Sequence, residues 1–221
     1  MIYPPLHIDY QVPSIKVFNE QGESFLLPDL IHQGKHQAVL LIPGFTQCQG
    51  VCPMMAKLYT KILDEAQTKQ NLGDKVRVMF FSFDPTETGE TLKDFRENFK
   101  LSKIWELYRS DPESTQKLLS SLNYTVMSSG KSFQHPAQGF MFTKSGDWVG
   151  SLYGADVTGD EFNTLFRQVE WSENYPIIYK LAQNIKNPNL VIGIAGTGFL
   201  ISVVVLFILG IRLGRRKGPV V

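Results

Sequence analysis

The sequence predicts an α/β fold, a central sheet with helices packed on both faces, and three observations predict it. Apolar runs of strand length alternate with segments of helical periodicity in the order strand, helix, strand, helix, strand, helix, hairpin, helix. Two of those runs, Ala38-Val39-Leu40-Leu41-Ile42 and Val76 to Phe83, are almost unbroken in apolar character, as strands buried on both faces are. Apolar residues make up 43% of the 221 and charged residues 19%, enough for one good-sized core and contrary to extended disorder.

Each element has its own warrant. Ile15 to Phe18 and Ser24 to Leu27 flank Asn19-Glu20-Gln21-Gly22, a good turn, so Val12 to Leu30 opens as a hairpin. The first buried strand ends in a loop from Pro43 to Cys52. From Pro53 to Gln70, Met54, Leu58, Ile62, Leu63 and Ala66 recur on one helical face, with Pro53 in the favoured first turn. The second buried strand stops at Asp84-Pro85, and a helix follows from about Glu90 to Phe99. Ile104 to Tyr108 is a short strand, and Asp111 caps a helix that runs to about Leu122. Gly139 to Thr143 and Trp148 to Leu152 form a hairpin around Lys144-Ser145-Gly146-Asp147, which supplies the antiparallel edge, and Gly159 to Trp171 is the last helix of the domain. No internal repeat or low-complexity tract interrupts this order.

Beyond residue 174 the character of the chain changes. Residues 175–189 read as a linker, and Leu190 to Ile211 is a run of 22 residues without a charge. As a helix that run would be roughly 33 Å long, enough to span the hydrocarbon core of a bilayer. Gly193, Gly196 and Gly198 suit a membrane helix better than a soluble one. Arg212, Arg215, Arg216 and Lys217 follow it, whereas Lys180 and Lys186 are the basic residues between Trp171 and the run. The positive-inside rule therefore predicts a cytoplasmic tail over 212–221 and a globular domain, 1–174, on the extracytoplasmic side. The opening residues MIYPPLHIDYQVPS show neither a basic n-region nor an apolar h-region, which leaves the route of export unexplained.

The formal net charge is +1, without the basic stripe of a nucleic-acid binder. Function is therefore sought in the two cysteines, Cys48 and Cys52, which stand four apart in the loop after the first buried strand. One pair cannot build a multi-bridge scaffold, so it reads as one local site. In sheets of this kind, reactive loops sit at the carboxyl ends of central strands, and this loop is at such a place. A cysteine at a helix N-terminus has its thiolate favoured by unpaired N–H groups and the helix dipole; Cys52 meets that condition directly, with Cys48 in the loop before it. A CxxxC step leaves more room for an ion between the sulfurs than the CxxC of rapid disulfide exchange. Two thiolates suit Cu(I), and a nitrogen ligand would help hold Cu(II). Of the four histidines, His7 lies near the N-terminus, His32 and His36 fall in a loop before the first buried strand, and His135 precedes a hairpin strand whose loop can cross over the cysteines. From the residues alone a lone histidine is more often a surface or core residue than a ligand. Asp84 reads first as a residue that ends a strand and starts a turn, and only after that as an acid behind the site or a partner-docking residue.

The segments GFTQCQGVCP and FFSFDP, with a late histidine before a strand, resemble the Sco/SenC family of copper-binding, thioredoxin-like proteins, over roughly Val12 to Trp171. That resemblance implies a thioredoxin-like domain in which Cys48, Cys52 and His135 bind copper as Cu(I) or Cu(II). It implies a metallochaperone that assists assembly of the copper centre of a respiratory cytochrome c oxidase, with the copper-site subunit or a similar membrane protein as partner. The sequence departs from the family in three ways. Gln49-Gly50 stand where Pro-Asp is usual, Gln134 replaces the usual Asp before the histidine, and the predicted anchor is C-terminal rather than N-terminal. Fewer acids make the site less negative, which should weaken Cu(II) binding more than Cu(I). The alternative is a thiol–disulfide oxidoreductase in which Cys48 and Cys52 attack and resolve a partner disulfide and His135 is dispensable. A structural disulfide in a tethered binding module is a third reading, and a peroxidase of the same fold class lacks a recognisable motif.

Overall fold

A computed structural model of the chain describes residues 2–3, 10–48, 50–70, 75–129, 132–176 and 179. The chain divides into Met1–Pro176 and Ile177–Val221, and every element below belongs to the first unit. The predicted membrane helix at 190–211 and its basic tail lie outside the described residues; among those described, no helix is long and apolar enough to cross a membrane.

Three parallel strands form the centre of the sheet: β4 (Ala38–Gly44), β5 (Val76–Ser82) and β6 (Trp105–Arg109). On the β4 side, β9 (Gln138–Thr143) and β10 (Trp148–Tyr153) continue the sheet antiparallel, and β1 (Ile2–Tyr3) pairs with the outer side of β10. On the β6 side lie β2 (Lys16–Asn19) and β3 (Ser24–Leu26), giving the order β1-β10-β9-β4-β5-β6-β2-β3. The late hairpin thus supplies the antiparallel side of the sheet, as predicted. Its first strand pairs with β4 deep in the sheet, and β1 covers the second.

Side chains alternate across the sheet with period two. Val39 and Leu41 of β4, Met79 and Phe81 of β5 and Phe140 and Phe142 of β9 share one cluster with Leu27 and Ile31 of α1 (Leu27–His32) and Leu118 of α4 (Pro112–Ser121). On the other face Phe80 stacks on Phe95 of α3 (Gly89–Phe99), their ring centroids 4.7 Å apart. That face also carries α2 (Val51–Gln70) and α5 (Gly159–Asn174), so helices cover both sides, as predicted. Burying a side chain as large as Phe80 or Phe140 stabilises by about 1.5–3 kcal/mol, which makes these positions intolerant of polar replacement.

Local chemistry fixes the boundaries. In the β2–β3 turn Asn19 Oδ1 accepts from the N–H groups of Gln21 and Glu23, and Gly22 takes φ +81°. Thr88 and Thr158 close capping boxes on α3 and α5, and Asp111 caps α4 as expected. Two elements differ from expectation. The stretch holding His32 is not a loop but the end of α1, six residues with Pro28 in its first turn. The segment before His135 is a second, two-stranded sheet, β7 (Met127–Ser129) with β8 (Ser132–Gln134).

Candidate metal centre

The site grows from the carboxyl end of β4. Gly44 O accepts from Phe83 N (3.0 Å), which ties the start of the cysteine loop to the end of β5. Gly44 itself is required by close approach: a Cβ there would stand 2.6 Å from Phe80 Cε2 and 3.0 Å from Cys52 Sγ. Cys48 N donates to Phe45 O (3.3 Å), and Thr46 N donates to Glu87 Oε1. The loop therefore turns back into α2, which carries Cys52 into the interior and leaves Cys48 half-buried.

Cys52, the second residue of α2, is only 4% exposed, while Cys48 is half-buried. Here the structure refines the sequence reading. The helix N-terminus does not chiefly serve its own Cys52; the N–H of Cys52 donates to Cys48 Sγ at 3.4 Å. The Cys52 thiol, that N–H and the Gly50 N–H favour charge on the Cys48 sulfur and outweigh its partial burial, holding its pKa down to about 3. The same hydrogen bond, together with deep burial, pushes the Cys52 thiol up. At neutral pH the pair is one thiolate, Cys48, and one thiol, Cys52.

The third donor comes from the segment after β8. His135 Nε2 is 3.5 Å from Cys52 Sγ, although the two residues are 83 positions apart. The two sulfurs and an imidazole nitrogen all lie within 4.8 Å of one another. Three donors each about 2.3 Å from a shared ion would stand roughly 4 Å apart, so the spacing fits a single ion, and two soft sulfurs with one imidazole suit copper. Phe45 and Phe83 meet the imidazole edge-on, with centroids 5.8 and 5.1 Å away, and Phe133 packs against both rings. On the far side, His135 Nδ1 lies 2.8 Å from the Tyr124 hydroxyl, which donates to Pro136 O at 2.7 Å.

Of the described histidines, His32 and His36 do not join this group. His32 Nδ1 contacts Lys144 O (2.8 Å) and the buried His36 contacts Ile31 O (3.1 Å) through Nε2, both structural bonds, and His7 lies outside the described residues. Asp84 turns its Oδ1 to the backbone N–H and hydroxyl of Thr86 (2.8 and 2.7 Å), the strand-ending role. The acid behind the loop is Glu87, which sequence reasoning missed. It is 4% exposed, its Oε2 has no hydrogen-bond partner among the described residues, and burial pushes its carboxyl up against the opposing pull of Ser82 and Thr46. Tyr124 was missed as well. Neither residue carries a motif, and each reaches the site only through the tertiary fold.

The sequence profile of the SCO1/SenC family matches residues 17–169. No curated protein matches the chain. Among solved structures, a candidate electron transfer protein from Aquifex aeolicus VF5 superposes with a TM-score of 0.65 at 26% identity, over 73% of this chain and 93% of the other. Arabidopsis thaliana ScoI, solved with copper bound, has the same fold at 16% identity and a TM-score of 0.61, over 71% and 96%. So has BsSco, described as a member of the Sco family of cytochrome c oxidase assembly proteins with a disulfide switch, at 20% identity and a TM-score of 0.61, over 76% and 98%.

Proposed function

The chain belongs to the SCO1/SenC family, and from that premise we propose that it is a copper metallochaperone whose cargo ion is held by Cys48, Cys52 and His135. The observation that carries this reading is the convergence of two cysteine sulfurs and one imidazole nitrogen within 4.8 Å. The two sulfurs bind Cu(I), and His135 adds the nitrogen that Cu(II) needs. Half-exposed Cys48 faces the incoming or departing ion, while buried Cys52 and the aromatic rings hold the inner side of the site dry. The recipient is the copper-site subunit of a cytochrome c oxidase. The anchor is the uncharged run 190–211, with the basic tail in the cytoplasm and the domain outside. Copper titration of the reduced full-length chain in detergent, as wild type and His135→Ala, tests the proposal. One copper per chain is expected, with Cu(I) binding kept in the variant and Cu(II) affinity reduced more than tenfold. Reduced wild type that binds neither ion tightly would remove the chaperone reading.

A second reading is favoured by one observation, the division of the pair into an accessible thiolate and a buried thiol. The Cys48 thiolate attacks a partner disulfide and forms a mixed disulfide, releasing one partner thiolate. Cys52 then loses its proton and attacks Cys48 Sγ, releasing the second. The partner gains two electrons and the chain ends with a Cys48–Cys52 disulfide.

A further inference from the structure

We propose that Tyr124 is a positioning residue of the metal centre: its hydroxyl fixes His135 in the tautomer whose Nε2 lone pair faces the two sulfurs. The inference rests on the copper reading and specifies how the third ligand is made ready.

Three polar atoms meet behind the imidazole. The Tyr124 hydroxyl is 2.7 Å from Pro136 O and 2.8 Å from His135 Nδ1, and Nδ1 is 3.1 Å from Pro136 O. A carbonyl oxygen only accepts, so Pro136 O needs a proton from one of the other two. Suppose the tyrosine proton went to Nδ1. Pro136 O would then face the phenolic lone pairs at 2.7 Å and an unprotonated nitrogen at 3.1 Å, three acceptors with one proton among them. With the tyrosine proton on Pro136 O and a proton on Nδ1, every short contact has a donor. Nδ1–H donates to the phenolic oxygen, the phenol donates to the carbonyl, and the neutral ring carries its lone pair on Nε2. That atom is the one 3.5 Å from Cys52 Sγ.

The surroundings keep this arrangement from exchanging with its alternative. Tyr124 is 4% exposed, so water does not compete for the hydroxyl. The rings of Phe45 and Phe83 against the imidazole oppose a ring flip. The position of Tyr124 is itself built in. Asn123 takes the left-handed conformation at φ +50° after α4, and Tyr124 N donates to Leu119 O at 2.9 Å, and the side chain packs against Phe83, Phe140 and His135. Metal-bound histidines are commonly held in this way through their second nitrogen, and loss of such a partner costs about 10–100-fold in metal affinity. The 3.1 Å contact from Nδ1 to Pro136 O survives removal of the hydroxyl, so the lower end of that range is expected here.

The test uses the full-length chain labelled with ¹⁵N-histidine, metal-free and reduced, at neutral pH. Two-bond ¹H–¹⁵N spectra of wild type should show His135 protonated on Nδ1 and bare on Nε2; a proton on Nε2 overturns the proposal without any variant. Tyr124→Phe should give a mixture of tautomers, weaken Cu(II) by about tenfold and leave Cu(I) binding nearly unchanged. On a His135→Ala background the same substitution should have no further effect on Cu(II). A Tyr124→Phe protein with wild-type tautomer and wild-type Cu(II) affinity also overturns it. Should His135→Ala leave Cu(II) affinity intact, the copper reading fails, while the tautomer spectra still judge the role of Tyr124.

Discussion

The division of charge between the cysteines predicts an unusual reactivity profile for Cys48. An ordinary thiol starts from a pKa of 9.0, and the partners of Cys48 bring it to about 3. At pH 5 an ordinary thiol is about one part in ten thousand thiolate, whereas Cys48 is almost wholly ionised. The ionisation gain at pH 5 is therefore about 10⁴. Low-pKa thiolates are weaker nucleophiles, and a Brønsted slope of about 0.4–0.5 over six units costs between about 250-fold and 1,000-fold. The net expectation is alkylation of Cys48 about 10–40 times faster than a free cysteine at pH 5, and several-fold slower at pH 7. Between pH 5 and 8 the rate should stay flat, because the thiolate fraction no longer changes. Stopped-flow reaction with iodoacetamide, followed by mass spectrometry to assign the site, measures this. Cys52→Ala removes the thiol that donates to the Cys48 sulfur and should restore a rising limb. A wild-type rate that climbs tenfold per pH unit through pH 7 would refute the assignment of the thiolate to Cys48.

Two further outcomes follow from the same residues. Burial raises the Glu87 carboxyl above its unfolded value, so its contribution to stability is complete below that value and is lost as pH rises through the folded pKa. Glu87→Gln keeps an oxygen for the Thr46 N–H and cannot ionise; its denaturant midpoint should gain on wild type as pH rises from 4 to 8, and parallel midpoints would contradict this. Cys48, half-exposed, should react with a membrane-impermeant maleimide on intact cells if the domain is outside, and labelling only after lysis would contradict the proposed topology.

What the sequence made legible follows physical range. The β4 strand, the cysteine loop and the start of α2 are contiguous, so an apolar run followed by CxxxCP was enough to place both sulfurs at a strand–helix junction. His135 stands 83 residues from Cys52, and nothing in its neighbourhood distinguishes it from His32 or His36; family resemblance alone raised it above them. The helix α1 escaped notice because six residues make less than two turns, too few to show a period. The strands β7 and β8 have three residues each, and there too alternation has no room to appear. Glu87 and Tyr124 act through burial and through groups supplied by other segments. Asp84 carried the acidic signal in the sequence, but the fold turned it to Thr86 and brought Glu87 behind the loop instead.

The claim that two cysteines and one histidine close on a single copper ion is tested most directly by X-ray absorption at the copper edge, on the full-length chain loaded with one equivalent of Cu(I). The account predicts two sulfur neighbours at roughly 2.3 Å and one nitrogen at roughly 2.0 Å, the nitrogen being lost in His135→Ala. A first shell of nitrogen and oxygen alone, or one of four sulfurs shared between two chains, would contradict it.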